Sequence, residues 1–320
     1  MAIREILRGL LIAACVAMSM FSPVHQAIGA STLDLAPERI GWSRLVFQAS
    51  HGPIDARSEV RLATISAVRL KDSLLAAADG PLAPGADAAT GAMLMTATVA
   101  MSSSLPFVGD KTWETQVWFL PATASALQRT RTKIGEDPDR KTFRYLANGV
   151  RRIRFEPEAA DGGQRRAEPW KVVRTTFNPY GPARARCRDV SDPSVLFYVV
   201  SAAGMSAGAP PLELCVFNKK VLYHAEIRPA GTERLRVNYT RRRGETEEAV
   251  ETEIAVLKIV LSGRPSEPAE RKPEPFEFFE MRGDIEISVD IASGLPVRVR
   301  GTVANLGEAT FNLVEADLVR

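Results

Sequence analysis

Histidine and cysteine are scarce in this chain, with three of each among 320 residues. That scarcity removes whole classes of chemistry. His51 and His224 stand alone in predicted strands or turns, and a Ser-His-Asp catalyst needs one of them beside a serine on a strained turn. Two isolated histidines and two cysteines do not make a standard zinc site. There is no Walker sequence and no G-x-G-x-x-G fingerprint, which leaves no sequence ground for nucleotide binding. One G-x-S-x-G occurs, Gly204-Met205-Ser206-Ala207-Gly208, but the motif works between a strand and a helix. Here a predicted helix precedes it and Pro210-Pro211 follows. No catalytic residue, metal or cofactor is expected. A hydrolase using Ser206 or an unrecognised carboxylate pair is the third-ranked reading.

Charge of one sign is also missing. The formal net charge is +3. Arg4, Arg8 and Glu5 account for +1 of it in the first thirty residues, which leaves +2 for the rest. A nucleic-acid binder concentrates positive charge, so no nucleic-acid partner is expected. Local basic runs remain at Arg151-Arg152-Ile153-Arg154, Arg165-Arg166 and Arg241-Arg242-Arg243. They read as solvated strand ends, or as contacts to anionic lipid headgroups.

Long apolar runs are lacking too. The uncharged, mostly apolar stretch Gly9 to Phe21 spans roughly 13 residues, short of the about 20 that cross a bilayer. Its setting is that of a secretory signal peptide over residues 1–30: Arg4 and Arg8 before it, Pro23 after it, and small residues at Ile28-Gly29-Ala30. The mature chain is expected to be residues 31–320, a β-rich domain in the periplasm with no membrane span and possible sub-halves 31–180 and 181–320. Ile12-Ala13-Ala14-Cys15 resembles a bacterial lipobox, so a lipid anchor on Cys15 is the alternative. Cys187 and Cys215 are an even pair in an oxidising compartment and are expected to form a disulfide, two buried thiols being the alternative.

What is present is alternation. About fourteen segments alternate apolar and polar residues with the period of half-buried strands. Asp284-Ile285-Glu286-Ile287-Ser288-Val289-Asp290-Ile291 is the cleanest. Asn148-Gly149 is a strong hairpin signal between Thr142–Ala147 and Val150–Phe155. Pro229 separates predicted strands Val221–Arg228 and Thr232–Thr240, and Gly263–Pro275 reads as an exposed loop. Val68–Ala78 is a short helix or a strand end. Asp192-Pro193 opens a helix, with aspartate as cap and proline at the first helical position. The fold class is mainly β: a large curved antiparallel sheet, an open or partly closed barrel, with one short helix packed on the concave face.

Four segments carry a resemblance in order: Leu45-Val46-Phe47-Gln48-Ala49-Ser50-His51-Gly52-Pro53-Ile54, Asp192-Pro193-Ser194-Val195-Leu196-Phe197-Tyr198, Val216 to Tyr223, and Asp290-Ile291-Ala292-Ser293-Gly294-Leu295-Pro296-Val297-Arg298-Val299. From about residue 40 onward the chain resembles a group of uncharacterised Gram-negative periplasmic proteins, a domain of unknown function. The resemblance implies a large antiparallel sheet curled around a helix, similar to the outer-membrane lipoprotein carriers. The family helix often reaches an arginine where this chain has Ser201. No activity comes with it.

The apolar and aromatic content of the strands then sets the functional expectation. A curved sheet only partly filled by a helix leaves a lipid-sized groove, with Trp113, Val117, Phe119, Leu196 and Val289 as its lining. The expected function is non-enzymatic binding of a lipid, an acylated envelope component or an envelope precursor. The alternative is a structural or assembly factor that contacts another cell-envelope protein.

Overall fold

The structure is a computed structural model and describes residues 33–51, 54–74, 91–103, 110–135, 138–157, 169–267, 274–303 and 306–319. The predicted leader, Cys15, Gly52-Pro53, residues Gly80–Gly85, where the sequence predicts a loop, and Arg165-Arg166 lie outside them. Among the described residues no helix is long and apolar enough to cross a membrane.

Alternation builds one sheet of sixteen strands. In chain order these are β1 (Trp42–His51), β2 (Ile54–Thr64), β3 (Met93–Ser103), β4 (Lys111–Leu120), β5 (Ser125–Ile134), β6 (Asp139–Tyr145), β7 (Gly149–Pro157) and β8 (Trp170–Pro179). After these come β9 (Val190–Ser191), β10 (Leu212–Asn218), β11 (Val221–Arg243), β12 (Thr246–Pro265), β13 (Glu277–Phe278), β14 (Met281–Asp290), β15 (Pro296–Val303) and β16 (Gly307–Leu318). The spatial order is 8-7-6-5-4-3-2-1-16-15-14-12-11-10-9, with β13 beside β14. All neighbours are antiparallel except β9–β10 and an added pairing of β11 with β16. The curved, mainly antiparallel architecture is as the alternation predicts.

That added pairing closes part of the sheet. The start of β16 pairs with β15, and its end, Glu315 to Leu318, pairs in parallel with Thr240 to Arg243 of β11. Strands β11, β12, β14, β15 and β16 thus form a ring, and Val237, Tyr239, Ile259, Ile287 and Val299 are buried in the same core. The reach of β11 makes this possible. The two strands predicted on either side of Pro229 are one, because a bulge between Pro229 and Thr232 absorbs an extra residue, with Gly231 at φ 102°. Likewise Gly263–Pro265, predicted as loop, belongs to β12, and Phe276 packs on Gly263 where a side chain would collide.

Two short helices fill opposite faces. α1 (Ala67–Ser73) is capped by Ser66 and lays Leu70 on a small cluster with Trp118 and Leu127. α2 (Leu196–Ala202) is buried at every residue in the main core. Asp192 caps the one-turn 3-10 segment that leads into it, accepting a hydrogen bond from the Ser194 backbone N–H at 2.9 Å. A segment buried all round must sit inside, and α2 contributes Phe197 edge-on to Trp42 and Phe47.

Gly149 corrects the hairpin reading. Leu146 N–H bonds to the Gly149 carbonyl, so Ala147-Asn148 form the turn and Gly149 begins β7. The glycine is needed for another reason: a Cβ there would lie 2.5 Å from the Asn178 carbonyl oxygen and 2.6 Å from the Phe177 ring.

An ionic network reinforces the ring closure. Arg44 of β1 bridges Glu59 and Glu315, each at 2.9 Å. Arg57 reaches Glu315 at 2.6 Å and Arg242 reaches it at 3.3 Å. The Arg57 and Arg44 guanidiniums, Arg57 first, hold the Glu315 carboxyl at about 2, well below its ordinary 4.5. The folded state therefore gains stability from Glu315 above pH 4.5 and loses it as pH falls toward about 2. Thermal unfolding followed down this range is expected to show that loss, and Glu315→Gln is expected to flatten the slope across it.

Candidate functional site

Cross-strand pairing lays the inner face out in rows. One row runs Leu45, Val60, Ala97, Thr115, Arg131, Lys141, Arg154, Arg174 across β1 to β8. The next runs Leu62, Met95, Val117, Arg129, Phe143, Arg152, Thr176. A third runs Phe47, Ser58, Val99, Trp113, Lys133, Asp139. Each row is mostly apolar up to β4 and turns cationic at β5. The inner face is therefore amphipathic along the sheet.

On the apolar side α2 covers much of the surface. What stays open is a cleft lined by Phe47, Val60, Val99, Phe279, Met281 and Phe311, with Phe197 at its floor. Its free space is about 20 Å³, room for one water-sized molecule. The turn Phe279-Glu280 stands between the cleft and the cations. Both residues sit in the left-handed region, at φ 48° and 64°, which is costly for residues with side chains. Phe279 packs edge-on to Phe197 at 5.9 Å, and Glu280 pairs with Arg131 at 2.6 Å. Arg131 also lies 5.8 Å over the Trp113 ring.

Among the described residues the carboxylates on the cationic side are fewer than the cations. Asp139 serves both Lys141 and Arg154, and Glu156 also reaches Arg154. Arg152 lies over Phe143, and its Nε is buried without a hydrogen-bond partner. Burial, then the neighbouring Arg154 and Arg174, push the Arg152 guanidinium below its ordinary value.

Where the two sides meet, the segment before α2 joins the ends of the sheet. Asp192 has no exposed surface. It takes Arg129 of β5 at 3.1 Å and the Tyr145 hydroxyl of β6 at 2.5 Å. Ser125 of β5 donates to Asp189 at 2.8 Å. Burial and then the Asp192 charge raise the Tyr145 hydroxyl well above its usual range, so it stays a donor. On the other side Cys187 is disulfide-bonded to Cys215 of β10, as the paired cysteines predict. His224 Nδ1 lies 3.9 Å from Cys215 Sγ. The three ligand-type atoms are within 4.8 Å of one another, but the sulfurs are bonded together and neither is a thiolate.

The residues predicted as groove lining divide. Val117, Phe119, Leu196 and Val289 are buried together in the main core, under or within the helix plug. Trp113 is half-buried at the boundary with the cations. The cleft uses instead residues of other strands, such as Val60 of β2 and Val99 of β3; only Met281 shares a strand, β14, with a predicted residue, Val289. The cationic half rests on β5, which has no counterpart among the predicted strands. Ser125-Ala126-Leu127-Gln128-Arg129-Thr130-Arg131-Thr132-Lys133-Ile134 alternates charge with threonine rather than apolar with polar. That charge alternation is itself the period-2 signal that places three cations on one face. Ser206 follows α2 and precedes β10, the reverse of a nucleophile turn. Further carboxylates are paired: Glu247 with Arg242, Glu248 with Arg241, Glu277 with Lys219 and Arg282.

The fold defines a curved-sheet β protein with an internal helix. No protein-family model matches the sequence, and no curated protein matches it. Among solved structures the chain is similar to a beta-barrel-like protein of domain of unknown function DUF1849 from Brucella abortus, at 8% identity. The match covers 88% of this chain and 99% of that one, with a TM-score of 0.43.

Two substitutions probe the join. Asp192→Asn leaves Arg129 buried without its counter-charge and is expected to cost about 3–5 kcal/mol, read by chemical denaturation. Replacing both cysteines by serine frees a loop with a sequence separation of 28 and is expected to cost about 3–4 kcal/mol in the same assay.

Proposed function

We propose that this chain is an exported, non-enzymatic cell-envelope protein that binds an acylated ligand on the inner face of its sheet. The leader pattern of residues 1–30 supports export to the periplasm, and the disulfide fits an oxidising compartment. The observation that carries the reading is the change along the rows from apolar to cationic. The apolar end of the ligand lies in the cleft at Val99, Phe279 and Phe311, and its polar end lies toward β5–β8.

Magnitudes favour a ligand with both parts. The cleft as it stands takes one water-sized molecule, so a chain either lies along its mouth or displaces Phe279. Covering about 200 Å² of chain contributes about 5 kcal/mol at about 25 cal/mol per Å². That alone corresponds to binding between millimolar and micromolar, before ordering costs. A polar anchor is needed for tighter binding.

A second reading has its own observation. β8 is an edge strand that pairs only with β7 in the sheet order, and it exposes Val172 at 57% and Phe177 at 46%. Such an edge suits strand addition by another envelope protein, which is how an assembly factor would work.

Native mass spectrometry of protein purified from its own compartment is expected to show co-purifying lipid. A fluorescent fatty-acid probe is expected to bind, and Val99→Asp, at a half-buried position, to weaken it at least several-fold. Absence of lipid and of probe binding, together with one stoichiometric protein crosslinked at β8, would establish the assembly reading instead.

A further inference from the structure

We infer that Lys133, Arg152, Arg154 and Arg174 form a site for a phosphate group, the headgroup of the acylated ligand. The inference rests on the reading above for the source of the phosphate, and on the cationic rows for the site itself.

Like charges placed directly opposite on neighbouring strands destabilise a sheet. Here four cations stand opposite one another in sequence across four strands: Arg131, Lys141, Arg154 and Arg174. Arg152 sits one position along the same face, and Lys133 stands on the other side of Arg131 on β5. Among the described residues carboxylates answer only part of this charge. Glu280 serves Arg131, while Asp139 and Glu156 serve Lys141 and Arg154. Among the described residues no carboxylate lies within ion-pair distance of Lys133, Arg152 or Arg174, although Asp139 stands opposite Lys133 in register and acts on Arg152 at longer range.

The chemistry selects phosphate. Cross-strand neighbours stand about 5 Å apart at Cβ, so two guanidiniums converge on one tetrahedral dianion that offers oxygens to each. A single carboxylate has two oxygens and one charge and leaves the row undercompensated. Arg152 gains most, because its guanidinium is part-buried and is depressed by burial and by Arg154 and Arg174. Glu280 already places an anion on Arg131 at the cleft end of the row. A headgroup bound beyond it keeps the acyl chain pointed at Phe279 and the cleft.

The test titrates the purified protein with three probes: a short-chain phosphatidic acid, the matching diacylglycerol, and inorganic pyrophosphate. Arg154 and Arg174 are exposed enough to replace together without touching the core, and circular dichroism verifies the fold of Arg154→Ala/Arg174→Ala. Phosphatidic acid is expected to bind about tenfold or more tightly than diacylglycerol, with the advantage shrinking in salt and vanishing in the double variant. Equal affinity for the two lipids, or an advantage that survives the double variant, overturns the phosphate site and leaves acyl binding standing. Pyrophosphate binding that the double variant abolishes, with neither lipid bound, supports the site and overturns the acyl reading. No binding of any probe overturns both.

Discussion

A bent sheet exposes an inner side that must be filled, and the rest of this structure depends on how α2 fills it. All seven residues of the helix are buried. It cannot be held there by its own apolar surface alone, because the sheet must also be stopped from opening. That restraint comes from the segment just before it, where Asp192 takes Arg129 and Tyr145 from one arm and the Cys187–Cys215 bond ties it to the other. A carboxylate with no exposed surface is costly unless its charge and lone pairs are answered, and here both are. The second closure, β11 on β16, is surface-built, and its Arg–Glu network makes it sensitive to acid.

Plugging the sheet in this way moves the functional question. With α2 in place the apolar residues at the centre of each row become core, while the cleft at Val99, Phe279 and Phe311 and the β5–β8 arm still present inner surface. The two regions differ in chemistry and adjoin at Trp113 and the Phe279-Glu280 turn. Their adjacency, rather than a hollow interior, is what supports an amphipathic ligand as the proposed partner.

Much of the fold was legible because period-2 alternation is a local property. It marked most strands, and the Asp-Pro cap marked α2. The gaps have separate causes. β5 was hidden because its inward residues are arginine and lysine, so hydrophobic alternation was missing where charge alternation was present. The break at Pro229 vanished because a bulge can carry a strand past a proline. Gly149 looked like a turn residue, whereas its role is to let Asn178 and Phe177 approach. The predicted groove residues lie on the same face as the cleft but mostly on β4, which does not reach it, because strand sequence does not say which strands, or which part of each, a helix will cover.

By itself the sequence determined the period, and with it the β class, the two faces of each strand, the buried helix and the pairing of two cysteines. Each of these follows from neighbours in the chain or from composition. Only the tertiary structure decided which rows were plugged, that β16 would exchange β15 for β11, and that cations from four strands would face one another. Those outcomes depend on register between segments far apart in sequence, and a single-residue slip would send every one of those side chains to the opposite face.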